Sequence, residues 1–75
     1  MDTLTLYGTP GCHLCEAASK LIGACGISAR PVDISGDDGL TERYGLRIPV
    51  LRRDDGRELD WPFDVQDVMR FLALQ

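Results

Sequence analysis

Two hydrophobic periods meet within the first third of the chain. Residues Thr3–Tyr7, TLTLY, alternate and are rich in strand formers. Gly8-Thr9-Pro10-Gly11 then breaks the strand with turn formers. Beyond it Leu14, Ala17, Ala18, Leu21, Ile22 and Cys25 recur at helical spacing, with Glu16, Ser19 and Lys20 off the stripe and Gly26 placed to cap the end. Ser28–Ile34, SARPVDI, reads as a second strand. Strand, helix and strand over this short span make a βαβ unit with a right-handed crossover and parallel strands. Pro31 has no N–H to give a ladder, which places the second strand at the sheet edge.

The second half reads differently. Ser35–Gly45 is a polar loop with a short helix, Leu40 and Tyr44 one turn apart and Gly45 as its stop. Arg47–Arg53 and Arg57–Trp61 flank Asp55-Gly56, a type I′ hairpin signal. The last segment opens with Asp64 as N-cap and with Phe63 and Val68 in hydrophobic-staple positions. Val65, Val68, Met69 and Leu72 are its expected buried stripe. The order is β-α-β-α-β-β-α in one α/β domain over residues 1–75, with a four-stranded mixed sheet and helices on both faces. A chain of 75 residues buries only about 60% of its unfolded surface, so the core is thin.

Charge excludes some functions. A net charge of −4, with arginines scattered among acids, leaves no basic stripe for a phosphate backbone, and nucleic acid is not an expected partner. No apolar run is long enough to span a bilayer, and no charged and apolar leader precedes the first strand. The expectation is a cytoplasmic monomer without membrane partners, in a compartment where thiols stay reduced unless redox chemistry is their task.

Three cysteines are an odd set for a disulfide scaffold. A structural zinc usually takes four ligands, and the only Cys or His candidates are Cys12, Cys15, Cys25 and His13, which sits between two of them. No metal ligand set is therefore assigned, and a redox pair is the leading reading. Cys12 lies where turn becomes helix, among N–H groups without intrahelical partners and at the positive end of the dipole, where a thiolate is stabilised. Cys15 is one turn further in. These are the candidate catalytic residues: Cys12 attacks and Cys15 resolves. His13 is the candidate tuning residue, because a protonated imidazole would favour the thiolate over the disulfide and make the couple more oxidising. An exposed histidine with little effect is the alternative. Cys25 is about 20 Å along the helix from Cys12, too far for a disulfide, and reads as a small core residue.

The stretches YGTPGCHLCEAA and RIPVL, with an acid at the head of the last helix, resemble the glutaredoxin branch of the thioredoxin superfamily, and more closely its small bacterial glutaredoxin-like proteins. The resemblance covers essentially the whole chain and implies a thioredoxin-like fold and a thiol–disulfide oxidoreductase. It implies a cis Pro49 and an Ile48 backbone that pairs with a bound peptide or glutathione by short strand addition. By the same resemblance Asp64 would receive the glutathione amino group and Arg47 its glycine carboxylate, with Trp61 over the site. Against these stand helix capping for Asp64, a solvated strand-end charge for Arg47 and core filling for Trp61. His13-Leu14 replaces the usual Pro-Tyr, Arg47-Ile48 the usual Thr-Val, and Leu59–Asp64 the usual Gly-Gly turn. The expected partners are a disulfide-bearing protein or glutathione and a reductase as electron donor. No bound cofactor is needed, and glutathione is a possible co-substrate. The rival readings are a metal-handling module, with zinc or an iron–sulfur cluster at Cys12 and Cys15, and a redox-inert adaptor.

Overall fold

The computed structural model describes residues 4–74; Thr3, expected to begin the first strand, lies outside them. The elements are β1 (Leu4–Gly8), α1 (His13–Ala24), β2 (Arg30–Asp33), α2 (Asp38–Tyr44), β3 (Val50–Arg53), β4 (Glu58–Asp60) and α3 (Val65–Ala73). They form a four-stranded mixed sheet in the order β2-β1-β3-β4, with β1–β2 parallel and the other pairs antiparallel. This is the expected α/β architecture, and β2, with its Pro31, stands at the edge.

Alternation along β1 divides the molecule into two cores. Leu4 and Leu6 face α1 and α3, packing with Ala18, Ile22, Val68 and Phe71. Tyr7 points the other way, toward α2, and packs with Ile34, Tyr44 and Val50. The register that sets Leu6 opposite Leu51 and Tyr7 opposite Val50 keeps each pair on one face. Burying each such side chain contributes roughly 1.5–3 kcal/mol, which is how so thin a core holds.

Gly26 has φ +74°, as its capping role requires. Gly45 follows α2 for a different reason. Its φ is −53°, and a Cβ there would collide with the Thr41 carbonyl oxygen.

The structure corrects three details. The β3–β4 turn is not type I′: the Gly56 N–H bonds the Arg53 carbonyl at 3.0 Å, and no residue but glycine has positive φ among the described residues. Gly56, at φ +92°, is the left-handed residue of a three-residue loop, Asp54-Asp55-Gly56, closed by the Arg53 N–H to the Arg57 carbonyl. On α3, Val68 and Phe71 are buried and Leu72 is partly so, whereas Val65 and Met69 are exposed. The helix turns a narrower arc to the sheet than the expected stripe, and those two fall on its rim. Leu14, expected to open the α1 stripe, is also exposed, one turn before that helix meets the core.

Candidate active site

The turn Thr9–Cys12 delivers one sulfur to the start of α1. Gly11 has φ +75°, a conformation that favours glycine, and this reversal sets the extended backbone of Cys12 as the N-cap of α1. Its sulfur accepts the Cys15 N–H at 3.2 Å, where an N-cap oxygen would normally sit. The Cys12 carbonyl accepts the first helical N–H, from Glu16, at 3.0 Å.

Cys12 and Cys15 are both free thiols and half-buried. Burial, and then the interaction with Cys12, pushes the Cys15 thiol up from its ordinary value. A raised value keeps this sulfur protonated at rest, as a resolving thiol would be. The end of β1 lies against it: a Cβ at Gly8 would stand 2.9 Å from the Cys15 sulfur. Gly8 is thus a residue of the site that turn propensity alone does not reveal. His13, the first residue of α1, is exposed. Cys25 caps the far end of α1 and packs partly buried against the main core. Among the described residues no three His, Cys, Asp or Glu side chains converge into a metal-binding group.

A cavity of about 340 Å³ opens at the two sulfurs. It is bounded by the N-cap Cys12, by Cys15, Glu16 and Ser19 of α1, by the turn after β1, and by Pro31 and Asp33 of β2. The Asp33 carboxylate accepts both the hydroxyl and the N–H of Ser35, and these bonds hold it below the usual carboxylate range.

Arg47, Ile48, Pro49, Trp61 and Asp64 do not line this cavity. The register opposing Tyr7 to Val50 nevertheless carries Pro49 alongside Gly8, at the same end of the sheet as the thiols. The Ile48–Pro49 and Trp61–Pro62 bonds are both cis, and the Trp61 N–H donates to the Pro49 carbonyl at 3.2 Å. Pro49 is buried and Ile48 packs on the α2 side. Trp61 meets Phe63 edge to face and joins the main core. Asp64 accepts the Asp67 N–H at 2.8 Å, and the Asp67 carboxylate accepts the Asp64 N–H, a reciprocal cap.

Arg47 is held by acids across the β3–β4 hairpin. Its guanidinium forks onto Asp60 at 2.7 and 3.0 Å and reaches Glu58 at 2.9 Å, lying over the Tyr44 ring. Tyr44 stacks on Tyr7 and donates its hydroxyl to Glu58 at 2.5 Å. Burial pushes Glu58 up, but the Tyr44 hydroxyl and Arg47 outweigh it and hold the carboxyl below its ordinary value. Burial first, and then the Glu58 carboxylate, pushes the Tyr44 phenol up to about 12.

Residues 3–73 match the family of the glutaredoxin-like domain (DUF836). Among solved structures, the chain resembles the X-ray structure of target protein XcR50 from X. campestris. The TM-score is 0.89 and the identity 43%, over 95% of this chain and 96% of that one. The solution structure of XcR50 aligns with a TM-score of 0.85 at 43% identity, over 95% and 92% of the two chains. The solution NMR structure of protein Ne2328 from Nitrosomonas europaea gives a TM-score of 0.72 at 29% identity, over 93% and 89%. No curated protein matches the chain.

Proposed function

The chain belongs to the glutaredoxin-like domain family, and from that premise we propose that it is a thiol–disulfide oxidoreductase acting through Cys12 and Cys15. One observation supports this above the others: the Cys12 sulfur caps α1 and accepts the Cys15 N–H at the mouth of a cavity. An N–H aimed at sulfur favours the negative charge that the atom bears when it attacks and when it leaves.

The Cys12 thiolate attacks one sulfur of a substrate disulfide. A bond forms from Cys12 to that sulfur, the substrate S–S bond breaks, and the departing thiolate takes a proton. Cys15 then loses its proton and attacks the Cys12 sulfur. The mixed disulfide breaks, the second substrate thiol leaves protonated, and Cys12–Cys15 becomes the disulfide. Two electrons pass to the substrate and are restored by glutathione or by a reductase dithiol, with no bound cofactor. His13 tunes the potential from its place beside Cys12. Ile48 and Pro49, at the thiol end of β3, hold the reacting end of the substrate, as the resemblance implies. Arg47, Trp61 and Asp64 support that region through their own contacts. The protein works as a monomer in the reducing cytoplasm, and no helix among the described residues is long and apolar enough to cross a membrane.

Single cysteine replacements test this. With an activated disulfide substrate, Cys15→Ser should accumulate a stable mixed disulfide through Cys12. Cys12→Ser should accumulate none, and Cys25→Ser should remain active. Trapping through Cys25, or equal trapping by the Cys12 and Cys15 variants, would reject the assignment.

A further inference from the structure

Cys12, Cys15, Glu16 and Ser19 fall at i, i+3, i+4 and i+7, so they form one side of α1. That side faces the edge strand β2 across the cavity at the thiols. A second cavity of about 230 Å³ shares Leu6, Ser19 and Pro31 with the first and continues past Gly23 to Ser28. The two make one groove between α1 and β2, with Ser19 and Pro31 as its waist. From Cys12 to Gly23 the helix rises about 16 Å, the length of roughly five extended residues. The walls along this path are mainly apolar and small. The charged residues on them are Glu16 and Asp33, with no lysine or arginine in either lining. The two bonds from Ser35 keep Asp33 ionised.

Resting on the oxidoreductase reading above, we propose that this groove seats the polypeptide flanking a substrate's reacting cysteine, and that Glu16 and Asp33 select a segment bearing lysine or arginine close to that cysteine. The groove begins at the sulfurs, so a chain whose disulfide is under attack at Cys12 runs directly into it. Its length suits an extended peptide rather than a compact tripeptide. Its charge opposes glutathione, which has two carboxylates and one amine, and favours a cationic segment. Each exposed carboxylate contributes modestly, and two together give a preference of roughly threefold to tenfold.

The test uses the reduced full chain and three disulfides: a dimer of a short Cys peptide flanked by lysines, the same dimer with glutamates, and neutral dipyridyl disulfide. The lysine dimer should be reduced roughly threefold to tenfold faster than the glutamate dimer, with the gap closing as salt rises. Glu16→Gln with Asp33→Asn should remove that gap. Ser19→Trp, at the waist and on an exposed helix position, should slow both peptides several-fold more than it slows dipyridyl disulfide. If dipyridyl disulfide reacts normally but the peptides show no charge preference, or if Ser19→Trp slows the peptides no more than dipyridyl disulfide, the groove assignment is overturned and the oxidoreductase reading stands. If none of the three disulfides oxidises the Cys12–Cys15 pair, the oxidoreductase reading itself fails.

Discussion

Gly8 and Cys15 are fitted to each other: a Cβ on Gly8 would lie 2.9 Å from the sulfur and 3.2 Å from the Cys15 Cβ. The end of β1 therefore sets where the half-buried Cys15 thiol sits relative to the N-cap sulfur of Cys12. Gly8→Ala should leave the protein folded, at a loss of about 1–3 kcal/mol typical of overpacking. It should also push Cys15 away from β1. The expected signature is a slower second step, so that a mixed disulfide through Cys12 becomes visible in a chain that retains both cysteines. Mass spectrometry of quenched reactions reads this directly. A variant that resolves at the wild-type rate would show that Gly8 does not position Cys15.

Much of this arrangement is legible in the sequence because its signals are local. The change of period across Gly8–Gly11 gives the βαβ unit, and Pro31 gives the sheet edge. Asp64 as a cap follows from its own neighbours, and the reciprocal bond with Asp67 bears it out. What is hidden depends on residues far apart in the chain. Gly8 looks like any turn glycine until Cys15 is folded over it. Arg47 looks like a free strand-end charge, yet Glu58 and Asp60 arrive from across the hairpin to hold it. Asp55-Gly56 signals a type I′ turn, but the dipeptide does not reveal that Asp54 also belongs to the loop, leaving only Gly56 left-handed. Val65 and Met69 show the same limit on α3, where the width of the buried arc is set by the sheet rather than by the helix's own pattern.

Arg53 ties the sheet to the end of α3. One nitrogen of its guanidinium donates to the carbonyls of Phe71 and Leu74, both at 2.8 Å, and the group lies over the Phe71 ring. The last carbonyls of a helix lack intrahelical partners, so Arg53→Ala leaves the Leu74 carbonyl to water and the Phe71 carbonyl with only the long bond from the Leu74 N–H at 3.4 Å. The side chain is only 11% exposed, and the expected loss is about 1.5–3 kcal/mol. Arg53→Lys should recover part of it, since an ammonium can donate to the carbonyls but lacks the planar face that covers the ring and the second nitrogen that reaches Asp55 at 3.0 Å. Urea unfolding of the three proteins checks the order, and equal midpoints would show that α3 is held without this contact.

Arg47 should matter to stability only while its acids are charged. Hydrogen bonding to Arg47 holds Asp60 below its ordinary value of 3.8, and Glu58 is held below 4.5 despite its burial. For depressed carboxyl groups the contribution is full above the unfolded values and fades as pH falls through the folded ones. Arg47→Ala should therefore destabilise the protein at neutral pH by about 1–3 kcal/mol. The gap from the wild type should close once the solution is acidic enough to protonate both carboxyls. Denaturant midpoints across that range test the sign. A gap that stays constant through acid titration would mean that Arg47 acts by packing on Tyr44 rather than by charge.

At the alkaline end the controlling group is Tyr44, buried beneath Arg47 and joined to Glu58. Its phenol is raised from 10.0 to about 12, chiefly because burial disfavours the phenolate and secondarily because the hydroxyl donates its proton to the Glu58 carboxylate. Below pH 10.0 the folded and unfolded chains both hold this proton, and the contribution to stability is complete. Between that value and about 12 the unfolded chain releases the proton while the folded chain keeps it. Stability then falls by up to about 1.4 kcal/mol per pH unit. Tyr44→Phe should lose stability at neutral pH, because Glu58 loses a hydrogen bond, yet show a shallower decline over the alkaline window. Tyrosinate absorbance should show one of the two tyrosines ionising only as the protein unfolds. If the phenylalanine variant declines with the same slope as the wild type, the alkaline sensitivity belongs to another group and the Tyr44–Glu58 bond is not its origin.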